Sequence, residues 1–171
     1  MTQPNVLCIN GWGGSWTSGS IYSLWQRMVE EFGKSIYAPP PVDFQETGLI
    51  LRYFHKTVDP WIMVGLSCGC STINAVANAA PTEKIVHAFY YSPSMYCNVG
   101  EVSINVAKAT QISSWPFDFF NPGSRQLIVP KGSNKVTVFN TIQTNLGHGF
   151  TPGSDVAQAQ LFEAIRKQKG A

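Results

Sequence analysis

Residues 61–80, WIMVGLSCGCSTINAVANAA, pass from a short apolar run through Gly65-Leu66-Ser67-Cys68-Gly69 into small, helix-tolerant residues. The pattern predicts a buried strand, a sharp turn and a helix. A serine displayed on a strand-to-helix turn needs a strained backbone. Gly65 and Gly69, two positions to either side, let strand and helix approach without a Cβ clash. The N–H of Cys68 then opens the helix, where unpaired amides and the helix dipole favour an oxyanion. The plainer alternative is a tight turn in which Ser67 merely caps the helix.

Outward from this stretch, apolar runs of strand length recur at 6–10, 34–38, 85–91 and 135–142. Helical spacing lies between them: Ile21, Leu24, Trp25, Met28, Val29 and Phe32, then roughly 46–55, then 69–79. Strand and helix alternate, which predicts an α/β three-layer sandwich with right-handed crossovers. The expected sheet is mainly parallel, of about five strands in the order 2-1-3-4-5. A last helix over 156–167 would present Val156, Ala159, Phe162, Ile165 and Arg166 on one face, with Ser154 or Asp155 as cap. Residues 97–124 read as a helix at 101–111 followed by an aromatic excursion, SSWPFDFFNPGS, over the sheet edge.

The length, 171 residues, suits a single domain over 1–171. With 44% hydrophobic and 13% charged residues the chain has the makings of a packed core, and no apolar run approaches the length of a membrane span. A formal net charge of +2, without basic residues interleaved with aromatics, gives no basis for nucleic-acid binding. The first residues, MTQPNVLCIN, do not read as a secretory signal, so a cytoplasmic location is expected. Cys8, Cys68, Cys70 and Cys97 form no paired CxxC motifs, which suits reduced thiols and excludes the usual zinc spacing. Cys68 and Cys70 make a C-x-C at a helix start, where a thiol can be acidified, but not the C-x-x-C of thioredoxin-like redox sites.

Two further pieces bear on Ser67. The first predicted strand ends in Asn10-Gly11-Trp12-Gly13-Gly14, a glycine-rich turn that can offer the Trp12 amide to an oxyanion. Its spacing is neither Gly-x-Gly-x-x-Gly nor a phosphate-binding loop with lysine. Late in the chain, Asn145-Leu146-Gly147-His148-Gly149-Phe150 puts His148 in a loop after the last predicted strand, within reach of a serine at the carboxyl edge. The other reading is a turn histidine without a role. Of the remaining histidines, His55 ends a predicted helix and His87 lies inside a strand.

A glycine-rich turn, a Gly-Leu-Ser-Cys-Gly elbow and a late Gly-His-Gly, in that order, resemble the α/β-hydrolase family, in particular its small members without a large cap. The likeness covers most of residues 5–168. It implies Ser67 as nucleophile, His148 as general base, and the Trp12 and Cys68 amides as oxyanion hole. The chemistry implied is acyl transfer to water from a carboxylic ester or thioester, with no cofactor and no metal. The family carries an acid after the strand preceding its last strand, and no carboxylate lies between the 135–142 strand and His148. Asp118 in WPFDFF is the favoured candidate. Glu101 is a weaker one, Asp43 lies on the far side of the first strand, and a Ser-His dyad oriented by a backbone carbonyl, Asn140, Gln143 or Asn145 is a further option. The expected partner is a small-molecule ester or thioester. Trp16 and SSWPFDFF suggest an aromatic rim suited to short acyl or aryl esters, or simply core packing. The rival class is a hydrolase fold without catalysis, serving as a binding or interaction module.

Overall fold

The structure is a computed structural model, describing residues 3–12, 14, 19–57, 59–79, 84–94, 97, 102–103, 105–113, 138–143 and 148–170. Six parallel strands form one sheet in the order β2-β1-β3-β4-β5-β6: β1 Asn5–Asn10, β2 Val42–Asp43, β3 Trp61–Leu66, β4 Ile85–Tyr91, β5 Lys108–Ser113 and β6 Val138–Gln143. The expected order 2-1-3-4-5 holds, with one further strand, β5, inserted between β4 and the strand expected at 135–142, which is β6.

Strand alternation divides the core in two. Val6, Cys8, Ile62, Val64, Phe89 and Tyr91 pack against α1 (Ser20–Phe32) and α4 (Asp155–Lys169). Leu7, Ile9, Trp61, Met63, Ala88 and Tyr90 pack against α2 (Thr47–Lys56) and α3 (Gly69–Ala79). Successive side chains of one strand point to opposite faces, so a strand that is apolar throughout requires helices on both.

Four expectations need correction. The second strand is not 34–38: Tyr37 makes only an isolated bridge to Asn5, and pairing resumes at Val42–Asp43. Pro39, Pro40 and Pro41 have no N–H to donate to a ladder, which separates the two. The helix expected at 101–111 is displaced by β5, whose KATQIS sequence lacks a strand-like apolar run. Its polar groups are satisfied within the sheet instead: Thr110 Oγ1 lies 2.9 Å from His87 Nε2, and Gln111 Nε2 donates to Ser113 Oγ at 2.8 Å. The last helix turns a different face inward, burying Ala157, Leu161, Ala164 and Ile165, while Val156 is 46% exposed. Ser154 is its cap, accepting from the Ala157 amide at 3.1 Å. Finally, Cys68 and Cys97 form a disulfide, with Cα atoms 5.2 Å apart; only Cys8 and Cys70 are free. The two half-cystines are 29 residues apart in sequence, and α3 and β4 lie between them.

Candidate active site

Ser67 follows β3 directly and has φ +55°, a left-handed conformation that costs a non-glycine residue about 1–3 kcal/mol. Its amide donates to the Tyr91 carbonyl at 3.0 Å, and its carbonyl accepts from Cys70 N at 3.1 Å, so the chain reverses from strand into α3 at this residue. Ser67 is 8% exposed.

Three glycines make the turn possible. A Cβ on Gly65 would stand 2.7 Å from the carbonyl carbon and oxygen of Gly69, and one on Gly69 would stand 2.5 Å from the Ile9 carbonyl oxygen. A Cβ on Gly11 would meet Leu66 O at 2.7 Å, Ser67 Cβ at 2.8 Å and the Cys68 amide nitrogen at 3.4 Å. The expected roles of Gly65 and Gly69 are therefore visible as geometry. Gly11 adds a third close approach, joining the glycine-rich turn to the elbow.

That turn is closed by the Gly14 amide donating to Gly11 O at 3.4 Å. Trp12 sits at its tip, one residue from the point of contact with Ser67, its side chain 77% exposed. Cys68 is buried, and its sulfur is tied to Cys97, which removes it as a free nucleophile or redox thiol. Cys70 points inward, donating from Sγ to the carbonyls of Gly65 at 3.2 Å and Tyr91 at 3.5 Å. Burial pushes its thiol well above the usual range and that of Cys8 up to about 12, so neither is a thiolate at neutral pH.

His148 begins a 3-10 helix, His148–Gly153, after β6 and before α4. It is half-buried. This helix is fastened to the carboxyl end of β4: Thr151 Oγ1 lies 2.8 Å from Ser92 Oγ, and Ser92 follows Tyr91, whose carbonyl holds the Ser67 amide. Ser67 and the His148 segment thus share one anchor at the carboxyl edge. Ser92, unnoticed in the sequence, is fully buried at φ +43°, and its amide donates to Ile112 O at 2.8 Å. The Ser-Pro after an apolar strand was the available signal.

The other histidines lie elsewhere. His55 is exposed in the last turn of α2. His87 is buried, stacked on Phe89 at 4.0 Å, and burial followed by repulsion from Lys108 and Lys167 lowers its pKa to about 3. Asp43 is engaged in its own turn, Oδ1 accepting from the Gln45 amide at 2.9 Å. Asp118, Glu101, Trp16 and Asn145 lie outside the described residues. Asp118 does, however, follow Ser113, the last residue of β5, and precede β6. Asp118 therefore falls, in chain order, after the last strand described before β6.

Among the described residues no group of three His, Cys, Asp or Glu could hold a metal ion, and no helix is long and apolar enough to cross a membrane. No protein-family model and no curated protein matches the sequence. Solved structures do. A candidate YdeN-like hydrolase from Pectobacterium atrosepticum superposes with a TM-score of 0.62 at 16% identity, covering 97% of this chain and 92% of that one. Human thioesterase 2 superposes with a TM-score of 0.56 at 13% identity, covering 99% and 97%. The fold is that of these hydrolase-fold proteins.

Proposed function

We propose that the protein is a serine hydrolase acting on a carboxylic ester or thioester. The observation that carries this reading is Ser67 held at φ +55° on a strand-to-helix turn cleared by Gly11, Gly65 and Gly69. Ser67 Oγ attacks the acyl carbonyl while His148 takes its proton. The Trp12 and Cys68 amides receive the oxyanion of the tetrahedral intermediate. His148 returns the proton to the departing alcohol or thiol, leaving an acyl-serine. Water, deprotonated by His148, then attacks the acyl carbon, and as the bond to Ser67 Oγ breaks the imidazolium returns its proton to Oγ, releasing the carboxylic acid. Asp118 orients the imidazole, a role supported by the chain order serine, acid after β5, histidine after β6. The fold shared with a thioesterase is consistent with this chemistry. A binding module would have no use for a serine held on a glycine-cleared strand-to-helix turn at the carboxyl edge of the sheet.

Intact-mass spectrometry after treatment with a small fluorophosphonate tests the reading. One adduct on the wild type, absent from Ser67→Ala, is expected. A folded wild type that takes no adduct overturns the assignment.

A further inference from the structure

Among the described residues most large apolar side chains are covered, but Trp12 is not, and it stands beside the proposed nucleophile. Its ring centroid lies 5.6 Å from that of Phe44, at 44°. The backbone that carries each ring is anchored. The Trp12 turn is fixed by the close approach of Gly11 to Ser67 and Cys68. Phe44 follows β2, whose Asp43 is paired with Asn10, and its carbonyl accepts from Thr72 Oγ1 of α3 at 2.5 Å. An exposed tryptophan held this way is a preformed apolar surface at the site.

The sheet order gives this surface a direction. Ser67 follows β3; Trp12 and Phe44 follow β1 and β2 on one side, while the His148 segment follows β6 and is anchored to β4 on the other. The group that leaves must receive its proton from the histidine, so it lies toward β4. The remainder of the substrate, the acyl substituent, then extends toward β1 and β2. We infer that Trp12 and Phe44 form the acyl-binding shelf, selecting esters or thioesters with an apolar acyl chain; this rests on the serine-hydrolase reading above.

The test uses two series of esters on the purified full chain. In the first, p-nitrophenyl acetate, butyrate and hexanoate vary the acyl group; in the second, acetate esters of several phenols vary the leaving group. An open shelf covers part of each added methylene, so wild-type kcat/KM is expected to favour hexanoate over acetate by about tenfold. Trp12→Ala and Phe44→Leu are each expected to reduce that ratio to about twofold while leaving the ordering of the phenols intact. Trp12 is exposed, so its removal does not open a cavity, and Phe44→Leu keeps most of the apolar volume. If the wild type takes the fluorophosphonate but both variants keep the hexanoate preference, or lose the leaving-group ordering instead, the shelf assignment is wrong and the hydrolase reading stands. A wild type that takes no fluorophosphonate removes both.

Discussion

Ser92 Oγ and Thr151 Oγ1 lie 2.8 Å apart, joining the carboxyl end of β4 to the helix that begins with His148. Thr151→Val keeps the shape and removes this bond. The expected loss of stability is about 1 kcal/mol, a Tm decrease of roughly 2–4 °C. Hydrolysis should suffer more, by up to about 100-fold, because a small displacement of a proton-transferring group is costly. A lowered Tm with an unaltered rate would show that the position of His148 does not depend on this link.

The glycines divide into those whose hydrogen is required and those whose hydrogen is not. Gly69→Ala forces a Cβ against the Ile9 carbonyl, which cannot rotate away, and should cost about 1–3 kcal/mol in urea unfolding. Gly48 lies in α2 with nothing within 4 Å of its Cβ position, so Gly48→Ala should stabilise by roughly 0.5–1 kcal/mol. A Gly69→Ala protein as stable as the wild type would contradict the close approach of β1 and α3.

His87 makes the fold acid-sensitive. Its ring is neutral in the folded state down to about pH 3, whereas in the unfolded chain it takes a proton near pH 6.5. Stability is therefore unaffected by this group above 6.5 and falls as the pH drops toward 3, by about 1.4 kcal/mol per unit. His87→Gln, which can still bond Thr110, should flatten that part of a stability profile measured by urea denaturation between pH 7 and 4. An unchanged slope would assign the acid sensitivity to other groups.

The Cys68–Cys97 bridge closes a loop with a sequence separation of 29, for which chain entropy gives a stabilisation of about 3.5 kcal/mol. Cys68→Ser with Cys97→Ser should lower the unfolding free energy by that order. The wild type treated with a thiol reductant should match the double variant, and a reduced wild type as stable as the oxidised one would mean the bridge contributes nothing.

The elbow was legible because its determinants are local: β3 is continuously apolar, Gly65 and Gly69 flank Ser67, and α3 follows at once. β5 was not, because Thr110 belongs in a sheet only once His87, on the neighbouring strand, is there to bond it. The inward face of α4 depended on Leu161 and Ala157 meeting Ile112 and Tyr91, and the pairing of Cys68 with Cys97 on the path of α3 and β4. None of these is encoded by neighbours in the sequence.

The bridge also makes a covalent ring of the chain between Cys68 and Cys97, with α3 and β4 inside it. A single proteolytic cut within that ring leaves one molecule, its two pieces still joined beside Ser67. Such nicked protein would run as a single species without reductant and as two fragments with it, and its serine turn would keep both of its flanking elements attached.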